Sequence, residues 1–371
     1  MGMRYWGLAV LAGVFCWSVI SSAEISKTCE DNKECLIELP GSTCADGTSS
    51  FMTLTRRPNA QHLLVYLTGG GACWSADSCK KGLASVLTRQ ETPTDWNEGD
   101  GVGNAKDAAN PFGSNYSVVT VPYCTGDAHV GARTIDYGTA SSPYVIRHQG
   151  YKNVQLAFDK VKSLFPTPQK VVLLGCSAGG IGAYYHMRTL ANEYPNAEKF
   201  VVSDAGTPFR PPYVKADAYK TVMLNWGADQ TLPAGQTDFS SLVAYNTKTY
   251  PDIRFGFISS YQDKVMTFFA LAVGSTSPFT AVRDTIISLS DQYIGKDTTN
   301  AKVFYTNTSR HCHTVETLET VTSVDANLGT WLTDMVTDKK GWENERPDLS
   351  QEIFINPNQA LPTIRDVRSH L

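Results

Sequence analysis

The sequence predicts an α/β protein: a mostly parallel sheet covered by helices on both faces. One pattern carries this. Short apolar runs alternate along the chain with segments of helical spacing, and strand–helix–strand alternation builds crossover units with parallel pairing. The composition of 371 residues, 42% hydrophobic and 18% charged, is ordinary for a globular protein and excludes a disordered, collagen-like or coiled-coil chain.

The elements follow in order. His62-Leu63-Leu64-Val65-Tyr66-Leu67 reads as a buried strand, closed by Thr68 and Gly69-Gly70-Gly71. Tyr116 to Val121 is a second, closed by Pro122. Over residues 151–165, Val154, Ala157, Phe158, Val161 and Phe165 have helical spacing, and Pro166 and Pro168 stop that helix. Further strands are Lys170 to Leu174, Phe200 to Val202, Ile253 to Ile258 and Ala301 to Tyr305. Residues 80–115 and 206–250 are long insertions without a second core, so residues 24–371 read as a single domain. Residues 340–371 are polar and proline-spaced and read as a surface tail.

The N-terminus differs. Arg4 is its only charge, an apolar stretch runs from Tyr5 to Ile20, and Ser21-Ser22-Ala23 precedes Glu24. This is the pattern of a secretory signal peptide over residues 1–23; the rival reading is an uncleaved anchor. No other long apolar run follows, so no membrane association is expected after cleavage. The formal net charge of -4 implies no attraction to nucleic acid. Cys16 leaves with the signal. Cys29, Cys35, Cys44, Cys73, Cys79, Cys124, Cys176 and Cys312 remain, an even set that suits a secreted, or in a bacterium periplasmic, disulfide protein. Eight cysteines can pair in 105 ways, and spacing does not choose among them. Asn115 and Asn307 open glycosylation sequons.

Chemistry concentrates at Gly175-Cys176-Ser177-Ala178-Gly179, a G-x-S-x-G between a strand and a helix expected over 180–192. That context is a nucleophile elbow, with Ser177 exposed on a sharp turn. The plainer reading is a helix-capping serine. A serine needs a base, and the base an orienting acid. In α/β-hydrolase-like chains these follow in the order Ser, acid, His, each after a strand. Asp263 follows the strand at 253–258, and His311 and His313 follow the strand at 301–305. The plainer reading of Asp263 is a helix cap, and Asp204 is a rival acid. Gly70 and Gly71, with the amide of Ala178, are candidate oxyanion donors; a plain turn is the alternative. His186, inside the helix after the elbow, reads as structural. Neither a closed metal-ligand set nor a nucleotide-binding motif is found, so no metal and no cofactor are expected. Tyr123, Asp127 and His129 share a loop that could border the site and touch a sugar, or be ordinary loop residues.

Together these motifs resemble the pectin acetylesterase/Notum family of serine carboxylesterases. The matching pieces are Leu67-Thr68-Gly69-Gly70-Gly71-Ala72-Cys73, Pro122-Tyr123-Cys124-Thr125-Gly126-Asp127, Gly175-Cys176-Ser177-Ala178-Gly179-Gly180, Ser203-Asp204-Ala205-Gly206 and His311-Cys312. The resemblance implies an α/β-hydrolase fold and a triad of Ser177, Asp263 and His311. His313 is the runner-up base, because bacterial relatives place threonine after the histidine, as in His313-Thr314. The family implies the disulfides Cys44–Cys124 and Cys73–Cys79. Cys29–Cys35 then completes three pairs and leaves Cys176 and Cys312, neighbours of Ser177 and His311, which the plant members also have and Notum lacks. Ala72 stands where the family commonly has tryptophan, which opens the entrance and leaves substrate size undecided.

The leading expectation is a monomeric, secreted enzyme that removes O-acetyl groups from a polysaccharide such as pectin. The rivals are a lipid or protein deacylase of the Notum type, a lipase-like esterase, and a non-catalytic binder on a hydrolase scaffold. A long acyl chain requires a deep apolar pocket, and the sequence does not display one.

Overall fold

Ten strands form in the computed structural model, which describes residues 29–90, 101–294, 299–337 and 341–348. The expected signal peptide and the residues beyond 348 lie outside these. The strands are β1 (Glu34–Glu38), β2 (Phe51–Thr55), β3 (His62–Leu67), β4 (Tyr116–Val121), β5 (Arg133–Asp136), β6 (Val145–His148), β7 (Lys170–Cys176), β8 (Glu198–Asp204), β9 (Ile253–Ser260) and β10 (Ala301–Thr306). Eight of them make one sheet in the order β1-β2-β4-β3-β7-β8-β9-β10, and β5 and β6 pair separately. From β4 to β10 the pairing is parallel. Antiparallel β1 and β2 close one edge. This is the mostly parallel, α/β-hydrolase-like sheet that the sequence predicts.

The central strands are continuous apolar runs because both of their faces are buried. Alternate residues go to opposite cores. Leu63, Val65 and Leu67 of β3 and Val171 and Leu173 of β7 face one core. There they meet Val154, Ala157, Phe158 and Val161, the apolar stripe of the helix Gly150–Leu164. Leu64, Tyr66, Val172 and Leu174 face the other core, against Trp331, Leu332 and Met335 of the helix Leu328–Thr337. Each such side chain contributes about 1.5–3 kcal/mol through burial.

In chain order the helices are α1 (Ala76–Lys80), α2 (Gly150–Leu164), α3 (Ala178–Tyr185), α4 (Met187–Glu193), α5 (Ala216–Trp226), α6 (Phe239–Thr249), α7 (Lys264–Ala272), α8 (Pro278–Leu289) and α9 (Leu328–Thr337). The single helix expected after the elbow is two, broken at His186. That ring is fully buried, with Nε2 2.8 Å from the His129 carbonyl. Residues 341–348 are not a detached tail. Trp342 is buried, the Tyr305 amide donates to the Glu345 carbonyl (2.7 Å), and the Glu345 amide donates to Val303 (2.8 Å). The pairing satisfies the open edge of β10 and covers apolar surface there, which outweighs the segment's polar composition. No helix among the described residues is long and apolar enough to cross a membrane.

Four disulfides join Cys29 to Cys35, Cys44 to Cys124, Cys73 to Cys79 and Cys176 to Cys312, with Cα–Cα separations of 5.5, 4.9, 4.9 and 5.7 Å. The last spans 136 residues. Closing a loop of that length in the unfolded chain corresponds to about 4–5 kcal/mol as an upper figure. Non-reducing peptide mapping of the native protein should therefore return four linked peptide pairs. Alkylation of free thiols at 176 and 312, with the other six blocked, would count against the fourth bridge.

Candidate active site

Ser177 connects β7 directly to α3 at φ 56° and ψ -119°. A side chain on Gly175 would run into the backbone of Gly179, and one on Gly179 into the Leu67 carbonyl. These two glycines let strand and helix meet with only one residue between them. The Ser177 amide donates to the Asp204 carbonyl (2.8 Å), and its carbonyl accepts from Ile181 (3.1 Å). Ser177 occupies the N-cap position of α3, but its side chain makes no cap hydrogen bond.

Asp263 and His311 come together across the ends of β9 and β10. His311 Nδ1 lies 2.7 Å from Asp263 Oδ2, and Asp263 is fully buried. The other carboxylate oxygen accepts the Met266 amide at 2.9 Å and caps α7. Asp263 thus caps α7, its plainer reading, and also holds the His311 ring. A His311 ring nitrogen lies within 4.8 Å of the sulfurs of Cys176 and Cys312, which places the ring against the residue preceding Ser177. Among the described residues this is the one His/Cys/Asp/Glu group tight enough for a cation. Its two sulfurs are joined to each other, which leaves a single imidazole as donor.

His313 pairs with the rival acid. Its Nδ1 is 3.3 Å from Asp204 Oδ1, and its Nε2 is 3.1 Å from Ser260 Oγ and 3.0 Å from Thr306 Oγ1. Asp204 Oδ2 also accepts the amides of His313 (2.6 Å) and Thr314 (2.7 Å) and the Thr314 hydroxyl (2.8 Å). Burial pushes the Asp204 carboxyl up, but the hydrogen bond and charge of His313 and the Thr314 bonds outweigh it, and its pKa lies below the ordinary value.

Of the oxyanion candidates, Gly71 and Ala178 line one cavity with Ser177. Gly70 is not among the residues lining it; its carbonyl accepts the Ser85 amide, and a side chain there would run into the Tyr123 ring. Gly71 pairs with Ala84 in a bridge whose bonds use the Gly70 carbonyl and the Ala72 amide. In that pattern the Gly71 N–H points away from the bridge.

The same cavity is the feature that sequence reasoning missed. It opens beside Ser177 and carries no charged side chain. Its walls include Tyr219, Val222 and Trp226 of α5, Phe239 of α6, and Met266 and Phe269 of α7. The polar atoms of Tyr219 and Trp226 are engaged by the Phe239 amide and the Cys73 carbonyl. Trp74 lines the cavity beside Ala72, so a tryptophan still walls this end. A partial signal was the mostly apolar run Val265-Met266-Thr267-Phe268-Phe269-Ala270-Leu271-Ala272, which starts two residues after Asp263.

The loop of Tyr123, Asp127 and His129 offers no sugar contact. All three side chains are buried. The Asp127 carboxylate accepts from Thr125 Oγ1, His129 N and Gly150 N, and the Tyr123 hydroxyl accepts from Ala128 N. Burial raises Asp127 to about 6 and lowers His129 to about 4. Asn115 and Asn307 are exposed; Asn307 Oδ1 accepts from Gln262 Nε2 (3.0 Å).

A strand, an elbow serine, and an acid and a histidine after later parallel strands make up the frame of an α/β-hydrolase. The family model described as Pectinacetylesterase matches residues 31–254, more than half the chain, and the chain belongs to that family. The match includes Ser177 and ends before Asp263 and His311. The palmitoleoyl-protein carboxylesterase notum2 of Xenopus laevis is 26% identical over 170 residues, 44% of this chain and 33% of that protein. The Drosophila melanogaster palmitoleoyl-protein carboxylesterase NOTUM is 27% identical over 189 residues, 47% of this chain and 27% of that protein. Pectin acetylesterase 11 of Arabidopsis thaliana is 22% identical over 206 residues, 53% of this chain and 52% of that protein. The chain thus spans about a third of the notum proteins that it matches and about half of the plant enzyme. The solved structure of the Wnt deacylase Notum from Drosophila superposes with a TM-score of 0.63 at 20% identity, covering 86% of this chain and 97% of that one.

If these residues act as the geometry suggests, Ser177→Ala should fold and lose at least about a thousandfold in turnover. His311→Ala should lose as much, whereas His313→Ala should stay within about tenfold of wild type, because its Nε2 is spent on hydroxyls. The reverse order in steady-state assays would move the base by two residues. Asp263→Asn should fall by about a thousandfold or more through the wrong histidine tautomer; a milder loss than for Asp204→Asn would reassign the acid.

Proposed function

We propose that this chain is a secreted serine carboxylesterase that receives an apolar acyl chain in the cavity beside Ser177. The observation that supports the reading is that cavity, apolar on its walls and adjoining the elbow. Ser177 Oγ attacks the ester carbonyl and His311 takes its proton. Asp263 holds the imidazole tautomer, and the amides of Gly71 and Ala178 face the developing oxyanion. The alcohol leaves with the proton from His311, and water then releases the acid from the acyl-enzyme. Secretion is part of the proposal: four disulfides suit an oxidising compartment.

Removal of O-acetyl groups from a polysaccharide is the second reading. It is favoured by the match to the pectinacetylesterase family model. An acetyl group reaches few of the apolar side chains that line the cavity, which extend to α5, α6 and α7. An acyl chain that occupies it gains about 0.8 kcal/mol per buried methylene, roughly fourfold in kcat/KM for each, until the space is filled.

An ester series from acetyl to hexadecanoyl, assayed beside acetylated pectin, separates the two. We expect kcat/KM to rise steeply from the acetyl ester to medium and long chains. Val222→Trp, which fills the cavity, should depress the long esters by at least about tenfold and spare the acetyl ester. A preference for acetylated pectin, with Val222→Trp indifferent, would establish the second reading.

A further inference from the structure

Asp204 touches Ser177 and the loop that carries His311 through different atoms. Its carbonyl accepts the amide of Ser177. Its carboxylate accepts the amides of His313 and Thr314 and the Thr314 hydroxyl, and pairs with His313 Nδ1. Those residues continue the loop that carries His311. His313 extends the attachment inward, with Nε2 against Ser260 and Thr306; the Ser260 and Thr306 hydroxyls are 2.9 Å apart, and each meets Thr308 Oγ1 at 2.9–3.0 Å. Ser260 is the last residue of β9, three before Asp263. One buried carboxylate therefore gathers the ends of β8, β9 and β10.

A second Asp–His pair could be a duplicate acid and base, but the geometry argues otherwise. His313 is fully buried, and both of its ring nitrogens are engaged. Four contacts converge on the Asp204 carboxylate, and three of them come from amides or a hydroxyl that carry no proton to the reaction. Cys312 lies between the two histidines at φ 58° and turns the chain, which sends His311 to Asp263 and His313 to Asp204.

We propose that Asp204 is a positioning residue: by holding the nucleophile's backbone and the histidine loop at once, it sets the separation of Ser177 and His311. This rests on the reading of those two residues as nucleophile and base. A displacement of about 1 Å between reacting groups can lower a rate by about a hundredfold without changing substrate binding. Loss of the carboxylate should therefore appear in kcat and leave KM alone. A role confined to stability would lower only the fraction of correctly folded enzyme.

The test counts active sites by stoichiometric labelling of Ser177 with a fluorophosphonate, then measures kcat and KM per labelled site on a p-nitrophenyl ester. In Asp204→Asn we expect kcat per site to fall about a hundredfold with KM within about twofold. His313→Ala should lose about tenfold, and His313→Asn, whose amide nitrogen can stand in for Nδ1, should restore most of it. If Asp204→Asn fails to fold, Thr314→Val and Thr314→Ser carry the test: the valine should lower kcat per site severalfold and the serine, which keeps the hydroxyl, should not. The proposal is overturned if kcat per site in Asp204→Asn stays within about threefold of wild type, or if the two Thr314 variants behave alike. A wild-type protein that is not labelled at Ser177 would overturn the nucleophile reading instead, and with it the basis for the positioning role.

Discussion

The site is organised around a single serine held at positive φ. A non-glycine residue in such a conformation costs about 1–3 kcal/mol and persists only where the surroundings over-determine it. Here the surroundings are specific. The Ser177 amide is fixed by the next strand, its carbonyl opens α3, and the residue before it is bridged to Cys312. The two flanking glycines remove the side chains that would otherwise push the helix away from the strand.

The same logic repeats along the sheet. The Ser177 amide reaches the Asp204 carbonyl at the end of β8, and the Ala205 amide reaches the Ile258 carbonyl near the end of β9. Ala205 also has positive φ, 51°. Each strand thus hands its last hydrogen bond to its neighbour just before the chain turns away. The register of the parallel ladder sets where the turns fall. Ser177 leaves β7, Asp204 closes β8, Asp263 follows β9 and His311 follows β10. Carboxyl-terminal strand ends are where ligands gather in open α/β sheets. This arrangement shows why: adjacent turns bring residues far apart in sequence to one edge.

What was legible in the chain follows from the same physics. The central strands could be read because burial on both faces leaves an unbroken apolar run, as in His62–Leu67. The edge strand β1 could not, since Glu34, Leu36 and Glu38 stand exposed and nothing separates that stretch from a loop. Ser177, Asp263 and His311 were legible as motif and order. The separation of His311 from His313 was not, because it depends on the turn at Cys312 and on which buried acid each ring meets. Polar residues of the loop from Tyr123 to His129 read as surface, yet the structure buries them and satisfies each one internally. The cavity was the least legible feature. Its wall draws on α5, α6 and α7 and on the residues around Gly71 and Thr207, and no local period marks side chains that meet only after folding.

The catalytic frame and the cavity wall nevertheless share one carboxylate. Asp263 holds His311 with Oδ2 and the first turn of α7 with Oδ1. Met266, whose amide makes that second bond, also puts its side chain into the cavity wall, and Phe269 follows one turn on. A hydrogen bond to a carboxylate contributes about 1.5–3 kcal/mol, more than most single contacts of an acyl chain. A side chain that reshapes the wall along α7 therefore pulls on the carboxylate that holds the His311 ring. The α5 wall is tied to another part of the site: Trp226 Nε1 donates to the Cys73 carbonyl, two residues after Gly71. Under the proposed function, acyl selection is therefore coupled to the histidine at α7, through the carboxylate of Asp263 that caps that helix.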